Sequence, residues 1–202
     1  MGGDGRRAST TAATRRGIID AARELLSTKQ WQDFTVEAVA NRAGVTRVTV
    51  YNQVGSKRGL LDAVLTDLTE RAGMDQLLTD TQHLSAEAAG AEIVRRTCLF
   101  WHAERPLLRP LFGLAAVDQE VAATLAQREE WRGNQMRRLV ERLATTSSFS
   151  RPEVEAGAIA LTSFPAYDAW GAAADDPERL AVLISHLIGS LTTGRSTRAR
   201  RH

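Results

Sequence analysis

From residue 13 onward the apolar positions recur at three- and four-residue spacing, and no alternating Val/Ile/Tyr-rich run bounded by hairpin signals interrupts them. Ile18, Ala22, Leu25 and Leu26 make one face of a helix over 13–27, and Lys29 to Asp33 breaks it. Thr35 then stands before a second periodic stretch, where its oxygen can accept an orphan backbone N–H while Glu37 complements the positive end of a short helix reaching about Arg42. Gly44 suits a tight reversal at positive φ, and Thr46 caps a third helix reaching about Gln53. Gly55 ends that helix. Ser56 caps a fourth, which Leu60, Leu61, Val64, Leu65 and Leu68 carry toward Arg71. Further helices are predicted over 88–103, 106–116, 118–145, 152–173 and 177–193, several opening on a proline that presets φ. Pro165 lies inside the eighth and should kink or interrupt it. The pattern predicts an all-α fold of about nine helices, with no repeat of solenoid length.

Composition adds boundaries to this picture. A chain of 202 residues, 43% hydrophobic and 25% charged, has the balance of a folded globular protein and room for two compact parts. Residues 1–12 and 195–202 are Gly, Ser, Thr and Arg with little apolar surface, so they read as a disordered basic arm and a disordered basic tail. The net charge of +2 conceals an asymmetry: residues 1–60 carry +5, residues 61–194 carry −7 and the tail carries +4. A basic front on an acidic body directs a polyanion to the front alone. No apolar run is long enough for a membrane span, and residues 1–14 lack the apolar core of a signal peptide, so a cytoplasmic protein with no membrane partner is expected. Cys98 is the sole cysteine, which removes an intramolecular disulfide and a multi-thiolate zinc site; no metal or cofactor is expected.

The chemistry concentrates between Thr35 and Lys57. Val39, Ala43, Val45 and Val50 fall on inward positions, Ala40 is small where two helices would cross, and Gly44 makes the turn between them. Thr46 starts a helix whose first residues, Arg47, Val48 and Thr49, are left facing outward. This is the template of a helix-turn-helix, in which a short second helix brings its opening residues to base edges in the major groove.

The segment resembles the TetR family of transcriptional regulators, through Thr35-Val-Glu-Ala-Val-Ala, Ala43-Gly-Val-Thr46, Val50-Tyr51 and Gly55-Ser-Lys-Arg-Gly-Leu-Leu61, preceded by a leading helix like that of Ile18 to Leu26. About fifty residues, Arg15 to Val64, carry the match. Two positions depart from the family pattern: Gln53 and Val54 stand where it has His and Phe. The resemblance implies a helix-turn-helix DNA-binding domain over 13–60 and a helical effector-binding and dimerisation domain over 61–194. By the same resemblance, Arg47, Val48 and Thr49 lie at the bases, and Thr46, which starts their helix, belongs to the DNA-binding set. Arg47 is suited to guanine, Thr49 to a base or phosphate and Val48 to a thymine methyl. Thr35, Tyr51, Asn52, Gln53 and Lys57 fall where the family touches the sugar-phosphate backbone.

The resemblance also implies a homodimer, a near-palindromic operator duplex and release by a small-molecule effector. Trp101, His102, Phe112, Trp131, Phe164 and Tyr167 fall in the region where the family encloses its effector, and rings with a few polar atoms suit such a site. The same rings serve equally as plain core. Leu180, Leu183, Ile184, Leu187, Ile188 and Leu191 form a wide stripe on the last helix, which the resemblance assigns to a two-fold four-helix interface; burial within one protomer is the alternative. An activator or an effector-independent regulator would carry the same head, and a helical protein-interaction module is the reading from another class. An enzyme is not expected: four histidines, one cysteine and no Gly-rich phosphate loop or nucleophile motif leave nothing to build an active site around.

Overall fold

The computed structural model describes residues 3–27, 34–143 and 148–193. Among the described residues the chain forms ten α-helices, two short 3₁₀ turns and no strand. The helices are α1 (Gly3–Ser27), α2 (Val36–Ala43), α3 (Arg47–Val54), α4 (Lys57–Arg71), α5 (Leu77–Asp80), α6 (Ala86–Leu114), α7 (Gln119–Arg142), α8 (Arg151–Leu161), α9 (Phe164–Ala169) and α10 (Pro177–Thr193).

Three boundaries differ from the sequence pattern. Helix α1 starts at Gly3 instead of near Ala13, so the residues read as an arm continue the helix. The stretch holds few strong helix formers, but extending an existing helix adds a hydrogen bond per residue without a new nucleus. The stretches predicted over 88–103 and 106–116 merge into α6, which runs through Pro106 and Pro110. The stretch predicted over 152–173 splits: α8 ends at Leu161, and Ser163 caps α9 by accepting the Ala166 N–H, with Pro165 in the first turn. The expected break at Lys29 to Asp33 and the tail 195–202 lie outside the described residues.

The chain divides into two compact units, Met1–Ala72 with Pro106–Ala126, and Gly73–Arg105 with Gln127–His202. In the first, α1 packs on α2, α3 and α4, and α3 packs on α2 and α4. Ile18, Ala22 and Leu26 of α1, Val39 and Ala40 of α2, Val50 of α3, and Leu60, Leu61, Val64 and Leu68 of α4 are buried. Ion pairs edge this packing: Arg23 reaches Asp67 at 2.9 Å, and Arg71 reaches Asp20 at 2.8 Å.

In the second unit α8 packs on α10, closely enough that a β-carbon at Gly157 would lie 2.6 Å from Leu191 Cδ1. The Arg132 guanidinium of α7 donates to the Ile159 carbonyl and the Thr162 hydroxyl, placing a cation at the C-terminal end of α8, where unpaired carbonyls favour one. Trp101, Phe164 and Tyr167 are buried, and Trp101 meets Phe164 edge to face at 5.6 Å between ring centroids.

Candidate nucleic-acid interface

Three hydroxyl caps and two left-handed glycines build the head. Thr35 accepts the Ala38 N–H at 3.1 Å, Thr46 accepts the Thr49 N–H at 3.1 Å, and Ser56 accepts the Gly59 N–H at 2.9 Å. Each satisfies an amide that α2, α3 or α4 would otherwise leave open, and such caps contribute about 1 kcal/mol apiece. Gly44 at φ +66° ends α2, with the Val45 N–H returning to the Ala40 carbonyl, and Gly55 at φ +77° ends α3. The direction of α3 is therefore set by main-chain hydrogen bonds at both ends and by one buried anchor, Val50.

The turn into α4 needs a glycine for space as well. A β-carbon at Gly59 would lie 2.0 Å from the Val54 carbonyl oxygen, so α3 and α4 meet only because residue 59 has no side chain. Gly59→Ala should destabilise the head by about 1–3 kcal/mol, as overpacking does. Thermal and urea unfolding of the variant check this; unchanged stability would show that the carbonyl moves aside freely.

Facing outward from α3 are Arg47, Val48, Tyr51 and Asn52, with Val48 67% exposed. Arg47 does not wave free: its guanidinium donates to the Tyr51 hydroxyl at 3.2 Å, sits 5.5 Å from the centre of that ring, and lies 3.9 Å from the Glu37 carboxylate. The Tyr51 hydrogen bond, chiefly, raises its pKa above the ordinary arginine value. Thr49 is half-buried, with its hydroxyl 2.9 Å from that of Thr46. The Thr35 cap uses an oxygen lone pair on the backbone, which leaves its O–H group to donate elsewhere.

Gln53 is half-buried, and its main-chain carbonyl accepts from the Arg15 guanidinium of α1. Lys57, first residue of α4, sits beside this surface with its ammonium 2.8 Å from Asp118 Oδ2. The structure thus gathers Thr35, Thr46, Arg47, Val48, Thr49, Tyr51, Asn52, Gln53 and Lys57 on α2, α3, α4 and the turns joining them.

Sequence reasoning missed three partners. Glu37 reads as a cap complement and not as a neighbour of Arg47. Arg15 carries no local signal. Asp118 lies 61 residues from Lys57, and only its place before α7 is visible in the pattern. The Lys57 hydrogen bond, first of all, holds the Asp118 carboxyl below the usual aspartate range.

The predicted effector residues divide between the units. Phe112 belongs to the first and is half-buried; Trp101, His102, Trp131, Phe164 and Tyr167 belong to the second. There, two of the polar atoms expected to orient a guest are committed to the main chain: Trp101 Nε1 donates to the Thr162 carbonyl at 3.0 Å and the Tyr167 hydroxyl to the Ala174 carbonyl at 2.6 Å. His102 is exposed, with Nδ1 3.1 Å from the same Ala174 oxygen, and Trp131 is 41% exposed. The predicted α10 stripe splits in two. Leu180, Ile184 and Ile188 are buried, whereas Leu183 is exposed and Leu187 and Leu191 are half-buried; Val182, outside the predicted set, is 72% exposed.

Fold and head together define an all-helical protein with an N-terminal helix-turn-helix, of the kind that inserts a recognition helix into duplex DNA. Residues 18–64 match the model for bacterial regulatory proteins of the tetR family. The HTH-type transcriptional regulator AlkX of Mycobacterium tuberculosis is 36% identical over 80 residues, a match covering 40% of this chain and 35% of that protein. The crystal structure of a transcriptional regulator from Rhodococcus sp. Rha1 aligns with a TM-score of 0.67 at 16% identity, covering 89% of this chain and 96% of that one. A TetR transcription regulator from Haloarcula marismortui aligns at 0.66 and 17% identity, over 90% and 97% of the two chains. The structural likeness is one of fold. Among the described residues no helix is long and apolar enough to cross a membrane.

Proposed function

We propose that the protein is a transcriptional repressor that binds a near-palindromic operator as a homodimer and is released by a small-molecule effector. The observation that carries the reading is α3: capped at both ends, anchored by Val50 alone, and presenting Arg47, Val48 and Tyr51 away from the core. The +5 charge over residues 1–60 supplies the attraction for phosphate. Arg47 reads guanine, Val48 rests on a thymine methyl and Thr49 completes the base-facing set, with Thr46 capping their helix at the same surface. Thr35, Tyr51, Asn52, Gln53 and Lys57 hold the backbone.

Dimerisation follows from the unburied half of the α10 stripe. Leu183, Leu187 and Leu191 lie four residues apart along one ridge beside the exposed Val182, and a second copy of α10 would cover them. Two recognition helices then enter successive major grooves when their separation is about 34–36 Å. The effector acts by binding more tightly to a state in which α4 has shifted and the two heads are misplaced. An effector-independent regulator is the second reading, and the commitment of the Trp101 and Tyr167 polar atoms to main-chain carbonyls favours it, since those atoms are not left to orient a guest.

Selection of bound sequences from random duplexes, repeated at two salt concentrations, tests the proposal. An inverted repeat with half-sites one helical turn apart is expected. Enrichment of no sequence, or of a single unpaired half-site by a monomer, would overturn it.

A further inference from the structure

The Lys57–Asp118 pair carries an inference that rests on the DNA-binding reading. Lys57 opens α4, and a lysine in the first turn is unfavourable to the helix, whose positive end prefers an anion nearby. Asp118 provides that anion. One carboxylate oxygen, Oδ2, takes the Lys57 ammonium at 2.8 Å; the other, Oδ1, accepts the Glu120 and Val121 N–H groups at 3.0 and 3.2 Å. The carboxylate is thus fixed on the first turn of α7 while it holds the lysine. Both side chains are only partly exposed, 33% for Lys57 and 22% for Asp118, so the pair is less screened than an ordinary surface contact.

We infer that Asp118 is an affinity-setting residue, an internal stand-in for a DNA phosphate that competes with the duplex for Lys57. When a duplex docks, Lys57 cannot neutralise a phosphate at full strength without giving up Asp118. The head therefore binds duplexes more weakly, and with less salt dependence, than its lysine content alone would give. Because phosphate contacts are independent of sequence, the effect applies to any duplex.

The test measures affinity of the full chain for a mixed-sequence duplex of several helical turns, by fluorescence anisotropy over a series of salt concentrations. Asp118→Asn keeps an acceptor for the Glu120 and Val121 amides and loses the charge; Asp118→Ser caps with a different geometry and guards against a local folding defect in the first variant. Both should bind about 2- to 5-fold more tightly at low salt, with a log–log salt slope steeper by up to about 0.9 per protomer. Lys57→Gln should bind more weakly than the parent, and Asp118→Asn should add nothing in that background.

Equal or weaker binding by both Asp118 variants, with the parent binding normally, would overturn this inference and leave the operator-binding proposal standing. Tightening that persists without Lys57 would also overturn it, since general charge removal would then be the cause. A parent protein that binds no duplex at the lowest salt would overturn the proposed function and the competition together.

Discussion

Arg47→Ala is expected to relax sequence preference at one position in each half-site and to weaken binding to the selected operator by about 1–3 kcal/mol per protomer, counted twice in a symmetric dimer. The size follows from what Arg47 brings: a planar guanidinium with two parallel donors that fit one guanine edge. The signature separates base reading from backbone holding. Loss of a phosphate contact such as Lys57 lowers affinity for all duplexes alike and flattens the salt slope, whereas Arg47→Ala should leave affinity for a mixed-sequence duplex close to that of the parent. Repeating the selection with the variant checks this, and an unaltered preferred sequence would show that another residue reads that base pair.

Phe164→Ala should destabilise the second unit by about 3–5 kcal/mol, the usual effect of emptying a filled aromatic position in a core. Phe164 is 2% exposed and meets Trp101 edge to face, and Trp101 in turn lies 4.8 Å from Phe100 by ring centroids, so the cavity would open inside an aromatic cluster. Urea unfolding, followed by near-UV circular dichroism of the tryptophans, is the measurement. It also discriminates between the two uses of these rings. A side chain lining a ligand cavity already lacks neighbours on one face, so a cost below about 1 kcal/mol would place Phe164 at such a wall.

The head was legible because each of its boundaries depends on a residue with a single dominant local role. Thr35, Thr46 and Ser56 cap through their own oxygens, Gly44 and Gly55 take the left-handed conformation, and the periodic valines and leucines fall on the buried side. Local chemistry is what a sequence displays. Helix α6 misleads for the opposite reason: Pro106 looks like the start of a new helix, and it is accommodated inside a continuous one. Packing also decided α10, where the periodicity shows a stripe but cannot say which half meets α8; Leu180, Ile184 and Ile188 turn inward and Leu183 does not. Long-range pairs lay out of reach altogether. Nothing near Lys57 announces Asp118, and nothing near Gln53 announces Arg15.

The economy with which α3 is held has an evolutionary consequence. Its ends are fastened by Thr46 and Gly55, and its middle by Val50, so none of the outward side chains is needed to keep the rod in place. Arg47 and Val48 can therefore be exchanged with little effect on folding, so on the proposed DNA-binding reading the preferred sequence can change while the fold stays. Divergence among relatives, or deliberate retargeting in the laboratory, can proceed one exposed residue at a time without passing through unfolded intermediates.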